Sequence, residues 1–210
     1  MIELYTWPTP NGHKVHIMLE ECGLEYNVHP IDITAGDQFD PEFLKISPNN
    51  KIPAIVDHDT GLSLMESGAI LMYLAEKTGR LMPPSGPKRW LVIEWLMMQM
   101  GHVGPMLGQT HHFVFYNKGK SPYAEQRYLK ENARIYGVLD RRLSEAAYLA
   151  EDYSIADVAT WPWIARFGRQ TMKLTDYPNL CRWYVDIAER PAVQRGYHVP
   201  RRLEDVPMPA

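Results

Sequence analysis

The feature that most constrains the fold of this 210-residue chain is a change of hydrophobic periodicity near residue 80. Before that point, β-rich runs alternate with amphipathic helical runs in the predicted order β-α-β-α-β-β-α. This spacing predicts a right-handed parallel crossover followed by an antiparallel hairpin. After the connector RLMPPSGPK only helical patterns remain, at about 88–116, 122–146, 154–170 and 178–190. We therefore predict an α/β domain over residues 1–80 and an all-helical domain over residues 88–210.

Composition excludes several classes of function. The formal net charge is −3 and both signs are interspersed, so the chain has no basic field for nucleic acid. No apolar run reaches the ~18 residues that span a bilayer, and the N-terminus lacks the pattern of a secretory signal. We therefore expect a cytoplasmic protein with no membrane or nucleic-acid partner.

The cysteines and histidines give little support to a disulfide or a metal site. Cys22 and Cys181 are far apart and form no C-x-x-C pattern. Cys22 ends a predicted helix, where the helix dipole opposes a thiolate. His111 and His112 are adjacent and point about 100° apart on a helix. We expect no metal, and any redox reaction would need a thiol that the protein borrows.

Ligands of open α/β sheets bind beyond the C-terminal ends of the strands, and three stretches of this chain fall there. They are TPNGHK (residues 9–14), NNKIPA before the third strand, and MESGA before the third helix. In the last stretch, helix N–H groups and the Ser67 hydroxyl can hold a carboxylate, while Glu66 can pair with an ammonium. The alternative is that Ser67 is only a helix cap and that Glu66 is only favoured by the dipole. At NNKIPA, the backbone of Ile52 can pair with an extended peptide.

Other motifs have a structural explanation. Ser154 and Asp157 in YSIADVATWPW predict a capping box that starts a helix. The methionines and tryptophans of the first long helix suit a core or a subunit interface.

Taken in order, these motifs resemble those of the cytosolic glutathione transferases. KIPAIVD, ESGAILMYLAEKTG and YSIADVATWPW carry the resemblance. PTPNGHK, PEFLKISPNNKIPAIVDHD and GPMLGQTHHF resemble the bacterial Nu-class branch, whose members act as glutathione-dependent disulfide-bond reductases. The similarity covers most of the chain and weakens after about residue 195. It implies a thioredoxin-like N-terminal domain, an all-helical C-terminal domain, glutathione as co-substrate and a homodimer.

The resemblance also implies which residues bind glutathione, the tripeptide γ-Glu-Cys-Gly. It places the γ-glutamyl head on Glu66 and Ser67, and the cysteinyl backbone on Ile52 beside a cis Pro53. The residues alone do not predict that cis bond, because only about 5–6 % of X–Pro bonds are cis. The full set that it assigns to glutathione is Gln38, Lys51, Ile52, Pro53, Glu66, Ser67, Gln99 and Arg134.

The glutathione thiol would then lie at the N-terminus of the first helix. There the helix dipole and hydrogen bonds to sulfur would lower the pKa of the thiol below its usual value of about 8.5, which favours the thiolate. Thr9 and Asn11 can each donate to sulfur, and we expect them to be the catalytic residues. Tyr5 falls inside the first strand and is expected to pack, and His13 is expected at the surface. The stretch has no cysteine, so a mixed disulfide between protein and glutathione is not expected.

Three hypotheses about function remain open. The leading one is reduction of small disulfides with glutathione as the electron source. Because the protein supplies no thiol, two glutathiones, or one oxidised glutathione, would supply both sulfur atoms. The second is conjugation of glutathione to an apolar electrophile, in a pocket walled by aromatic residues of the helical half. The third is a glutathione-binding regulator with little catalysis, like the fungal nitrogen regulators of related sequence. A Gln/Asn-rich stretch would favour the regulator, and the sequence has none, so we favour an enzyme.

Overall fold

The computed structural model describes residues 1–209, which divide into two compact units. The first comprises Met1–Met82 and Arg190–Val206, and the second comprises Pro83–Glu189 and the described residues after Val206. Arg190–Val206 falls in the range predicted for the helical domain, but its helix packs on the first helix of the chain. Gly196 allows this packing, because a Cβ there would lie 2.8 Å from the backbone nitrogen of Ile17.

The predicted order of elements, β-α-β-α-β-β-α followed by helices alone, is confirmed. In chain order the elements are β1 (Ile2–Thr6), α1 (Pro10–Cys22), β2 (Tyr26–Pro30), α2 (Pro41–Ile46), β3 (Ala54–Asp57), β4 (Leu62–Met65), α3 (Ser67–Thr78), α4 (Pro87–Met98), α5 (Gly104–Thr110), α6 (Pro122–Glu145), α7 (Ile155–Ile164), α8 (Pro178–Ala188) and α9 (Pro191–Tyr197). The first unit therefore has the thioredoxin-like arrangement and the second is helical.

The first unit is built on a four-stranded sheet in the order β2-β1-β3-β4. β1 and β2 are parallel, as the predicted crossover requires, and β3 and β4 form the predicted antiparallel hairpin. β1 alternates buried and half-buried residues, with Ile2, Leu4 and Thr6 facing inward. This alternation buries one face of the strand under the helices.

Local signals account for the ends of the helices in this unit. Thr9 caps α1 at its start, and Gly23 ends it in the left-handed conformation at φ 67°. Asp40 caps α2, and the side-chain oxygen accepts from the backbone of Glu42. Gly79 ends α3 in the same left-handed conformation, at φ 66°.

The second unit packs its helices around large buried aromatic side chains, including Trp161 and Trp183. The predicted capping box of Ser154 and Asp157 is present at the start of α7. Between α4 and α6 the chain stays helical but passes through two π-helical segments, Gln99–Val103 and His111–Tyr116. None of the helices formed by residues 1–209 combines the length and apolar character needed to cross a bilayer.

Candidate functional site

The sheet register brings three stretches of the first unit to one edge. Ala54, the first residue of β3, pairs with Tyr5 near the end of β1 and with Met65 at the end of β4. β1 and β4 both run antiparallel to β3, so they run in the same direction as each other. The turn after β1, the residues before Ala54 and the start of α3 therefore meet at this edge. These are the three stretches in which the sequence predicts a ligand site.

Thr9 occupies the turn after β1 and caps α1. Its Oγ1 accepts a hydrogen bond from the backbone N–H of Gly12 at 3.2 Å. A hydroxyl oxygen that accepts in this way still has a proton to donate, so the cap and a hydrogen bond to a ligand are compatible. Gly12 is required by the close turn, because a Cβ there would lie 2.2 Å from the carbonyl oxygen of Trp7.

The start of α1 is suited to an anion. Asn11 follows Pro10 in the first turn and is partly exposed. Within the described residues, that first turn carries no acidic side chain. The positive end of the helix dipole is therefore not offset by a carboxylate of its own, and a thiolate placed there would be stabilised.

Two aromatic residues near this turn differ in how well they were predicted. Tyr5 packs as expected, with its ring stacked on His29 at a centroid distance of 4.7 Å. The prediction for His13 is wrong, because the side chain is 2 % exposed rather than at the surface. Its ring meets Tyr197 edge-on at 4.5 Å, so α9 covers it.

The stretch before β3 has the shape that the resemblance implies. The Ile52–Pro53 peptide bond is cis. Pro53 is buried, Ile52 is half-buried and Lys51 is exposed. The carbonyl of Lys51 is held by the hydroxyl of Ser47, which donates to it at 2.8 Å.

Gln38 lies in a short 3₁₀ turn, Asp37–Phe39, and is half-buried. Its Oε1 is buried and has no hydrogen-bond partner among residues 1–209. A buried amide oxygen without a partner is uncommon in folded proteins. It can accept from a ligand that supplies an N–H group.

At the start of α3, the structure rules out the alternative in which Ser67 is only the helix cap. The cap residue is Glu66, which is exposed and has φ 71° and ψ 111°, while Ser67 is the first helical residue and is buried. A non-glycine residue at positive φ is uncommon, and such residues concentrate at functional sites. The backbone therefore turns sharply here and leaves the Glu66 carboxylate exposed beside the helix N-terminus.

Sequence reasoning missed one residue of this edge, Lys14. Its side chain is 1 % exposed, and Nζ donates to Ser67 Oγ at 3.3 Å. Burial lowers the pKa of Lys14 to about 7, against an opposing effect of Glu66. The available signal was its position: Lys14 lies one helical turn before Met18 on the buried side of α1.

The structure places Gln99 and Arg134 in the second unit and the other eight predicted site residues in the first. Gln99 is buried at the start of a π-helical segment. Arg134 on α6 pairs with Glu131 and contacts His102. The Arg134 guanidinium lowers the pKa of the Glu131 carboxyl. Both Arg134 and His102 line a cavity of about 630 Å³.

The cysteines lie away from the start of α1. Cys22 is the last residue of that helix, and Cys181 lies on α8 in the second unit. Burial raises the pKa of both thiols. Residues 1–209 contain no group of three or more histidine, cysteine or acidic side chains that could hold a metal ion.

Comparison with known proteins identifies the class. The N-terminal domain of the glutathione S-transferase family matches residues 1–76, and its C-terminal domain matches residues 94–191. The chain belongs to this family and is a glutathione transferase-like enzyme. It is 52 % identical to the disulfide-bond oxidoreductase YfcG of Escherichia coli, over 91 % of this chain and 92 % of that protein. It is 39 % identical to the disulfide-bond oxidoreductase YghU of the same organism, over 95 % and 75 %.

A solved structure of similar fold is a glutathione transferase from Pseudomonas putida with one glutathione disulfide bound per subunit. It is 44 % identical with a TM-score of 0.90, over 95 % of this chain and 91 % of that one.

Proposed function

We propose that this protein reduces small disulfides with glutathione, as a member of the Nu-class-like branch of its family. The observation that carries the proposal is the start of α1. There a capping hydroxyl with a proton to donate stands at a helix N-terminus without a carboxylate, and the thiols of the described chain lie elsewhere. Such a site activates a thiol that a ligand brings. The names of its similar proteins, two of them disulfide-bond oxidoreductases, support the same conclusion.

In this proposal glutathione lies along the edge described above. Its amino-acid head meets Glu66 and Ser67, its middle pairs with the backbone of Ile52 beside Pro53, and its thiolate accepts from Thr9 and Asn11. Gln38 and Lys51 supply further contacts from the first unit. The family resemblance also assigns Gln99 and Arg134 to glutathione. We propose a cytoplasmic homodimer, with no metal and no nucleic-acid or membrane partner.

The reaction is two thiol–disulfide exchanges. The bound thiolate attacks one sulfur of the substrate, a new S–S bond forms, and the leaving thiolate takes up a proton. The thiolate of a second glutathione then attacks the glutathione sulfur of this mixed disulfide, giving glutathione disulfide and a second free thiol. Two electrons pass from two glutathiones to the substrate, and the protein is unchanged. Its contribution is a larger thiolate fraction and alignment of the sulfurs.

Three substitutions at Thr9 separate the cap from the hydrogen bond to sulfur. Thr9→Ser keeps both, Thr9→Ala removes both, and Thr9→Asp keeps a capping acceptor but adds a negative charge and has no proton to donate. With glutathione and a model disulfide, we expect Thr9→Ser to stay near wild type. Thr9→Ala and Thr9→Asp should lower kcat about tenfold or more. Ser154→Ala is the matched control, because it removes a cap from α7 at a similar cost of about 1 kcal/mol.

Asn11→Ala should reduce turnover far more than glutathione affinity. An Asn11→Ala variant as active as wild type would contradict the assignment. A parallel assay with a chlorodinitrobenzene-type electrophile tests the rival reaction. Fast conjugation with feeble disulfide turnover would move the function to conjugation, and binding of glutathione without either activity would favour a regulator.

A further inference from the structure

The segment after α9, residues 199–206, belongs to the first unit and forms neither helix nor strand. It is nevertheless held in place. Tyr197, the last residue of α9, donates its hydroxyl to Glu204 at 3.2 Å, and Val206 is 8 % exposed. A segment near a chain terminus is ordered only where such contacts tie it down. The contacts on both sides therefore fix the position of the residues between them.

Arg201, in the middle of this segment, lies over the side chain of Trp7. Its Cζ is 4.9 Å from the centroid of the indole ring. Trp7 directly follows β1, and its carbonyl oxygen accepts from the backbone N–H of Thr9 at 2.7 Å. The segment thus brings a guanidinium to the turn that opens α1, where the proposed function places the thiolate of glutathione.

The neighbouring strand places Arg201 at the same edge of the sheet. In the parallel pair of β1 and β2, Thr6 lies opposite Pro30, so both strands end at the edge that carries the candidate site. Asp32 follows β2, and the pKa of its carboxyl is lowered by the hydroxyl of Thr34 and further by the charge of Arg201. Arg201 is therefore close to the chain that leaves β2 as well as to the chain that leaves β1.

The charge of Arg201 is open to a ligand. The side chain is exposed, and no carboxylate of residues 1–209 forms an ion pair with it. Asp32 instead accepts from the backbone and the hydroxyl of Thr34, at 2.8 and 2.6 Å. The face of an aromatic ring holds a cation in position without neutralising it. An arginine stays charged throughout the pH range in which enzymes work, so this positive charge is permanent.

We propose that Arg201 is a specificity-determining residue that favours disulfides with a carboxylate near the S–S bond. This inference rests on the proposed function, since it names the substrate class of the same site. A glutathione thiolate and an anionic disulfide repel each other as they approach, and a fixed positive charge beside them offsets that repulsion. Arg201 takes no part in the bond changes, so the two exchange steps are unchanged.

The test uses three small disulfides of different charge: dithiodipropionate, a dianion; bis(hydroxyethyl) disulfide, which is neutral; and cystamine, a dication. Glutathione is kept saturating and the uncatalysed rate is subtracted, so kcat/KM for each disulfide is compared between variant and wild type. We expect Arg201→Gln to lower kcat/KM for the dianion about fivefold, to leave that for the neutral disulfide unchanged and to raise that for the dication. Arg201→Lys should keep most of the preference, and Arg201→Glu should lose more than Arg201→Gln.

Arg202→Gln is the matched control. Arg202 is the adjacent exposed arginine, and it pairs with Asp205. Its replacement removes the same formal charge from the same segment and should leave the preference between the dianion and the neutral disulfide as in wild type. Raising the salt from about 0.05 M to about 0.5 M should shrink the effect of Arg201→Gln, because exposed charges are screened. Both variants should melt within about a degree of wild type, since both side chains are exposed.

The outcomes distinguish this inference from the function on which it rests. If wild type reduces the disulfides and Arg201→Gln keeps its preference among them, Arg201 does not set specificity and the proposed function stands. Equal losses on all three disulfides would make Arg201 a structural support of the turn, and an equal change in Arg202→Gln would assign the effect to the charge of the whole segment. Either result would overturn the inference. If wild type reduces none of the three with glutathione, the proposed function fails and this inference fails with it.

Discussion

Two helices of this protein, α1 in the first unit and α7 in the second, begin with a hydroxyl residue that accepts from the backbone. At α7, Ser154 is buried and forms a capping box with Asp157. At α1, Thr9 is partly exposed and caps the helix without a capping box, and the first turn, which lies within the described residues, has no acidic side chain. The carboxylate of Asp157 therefore offsets the positive end of the α7 dipole. No acidic side chain does so in the first turn of α1, where we propose that the thiolate of glutathione binds.

The carboxylate of α7 is also a structural hub. Asp157 accepts from the backbone N–H groups of Leu149 and Ser154, at 3.0 Å each, and from the Trp183 indole at 2.8 Å. The Ser154 hydroxyl donates to the same carboxylate at 3.2 Å. Burial raises the pKa of Asp157 to about 6, against these hydrogen bonds, which lower it. The same N-cap hydroxyl can therefore stabilise the fold alone or, as we propose for α1, belong to a ligand site. The difference lies in whether the first turn of the helix contains an acidic side chain.

The largest expected effect is the loss of stability when the Asp157 carboxylate of α7 is removed. Asp157→Ala leaves several buried donors without an acceptor and should lower the free energy of unfolding by about 3 kcal/mol, measured by urea denaturation. The control is Asp152→Ala, an exposed carboxylate whose loss should cost less than about 0.5 kcal/mol. An Asp157→Ala protein as stable as the control would show that the hub contributes little.

The next effect comes from giving α1 the carboxylate that α7 has. Asn11→Asp places an acid in the first turn, which should stabilise the helix by about 0.5 kcal/mol. The same charge disfavours a thiolate, so disulfide turnover at pH 7 should fall about tenfold and recover as the pH is raised. Gln194→Glu, which adds the same charge to the first turn of α9, should leave turnover unchanged. Unchanged turnover in Asn11→Asp would refute the idea that α1 leaves its positive end for a thiolate.

The third effect concerns pH, and it is tested only between pH 7.0 and 5.5. His16 Nδ1 donates to the Gly196 carbonyl at 3.2 Å, so that Nε2 of the neutral ring accepts from Thr6 Oγ1 at 2.7 Å. Burial lowers the pKa of His16 to about 3. Below the unfolded pKa of about 6.5 the unfolded chain binds the proton first. The contribution of His16 to the free energy of unfolding is therefore fully present above about pH 6.5. It falls by about 1.4 kcal/mol per pH unit on acidification, down to about pH 3.

Asp157 responds in the opposite direction, because its raised pKa lets the folded state bind a proton first as the pH falls below about 6. Urea denaturation of His16→Gln at pH 7.0 and 5.5 should show a smaller loss on acidification than wild type. His112→Gln, at an exposed histidine, is the control and should behave as wild type. An equal pH dependence in His16→Gln and wild type would exclude His16 as the source.

Much of the fold was predictable because its signals are local. The order of the strands and helices follows from periodicity, the end of α1 from Gly23, and the capping box from Ser154 and Asp157. Each of these depends on residues within a few positions of one another. The three stretches of the site were also predictable, since strand ends that share a direction meet at one edge.

The rest depended on residues far apart in the sequence. His13 is buried because α9 packs on α1, and no sequence pattern near residue 13 indicates contact with a helix that begins at Pro191. Lys14 looks like a solvated charge in any short window, and neither its burial nor its hydrogen bond to Ser67, 53 residues later, can be seen there. The cis bond at Pro53 was implied by resemblance and not by the residues around it.

By itself, the sequence determined the elements, their order and the residue types that face the candidate site, because propensity, capping and periodicity act over short distances. Only the tertiary structure decided which of those residues are buried and which polar groups meet. Burial depends on the packing of elements from both ends of the chain. That packing buries Lys14 and brings its Nζ within hydrogen-bond distance of Ser67 Oγ.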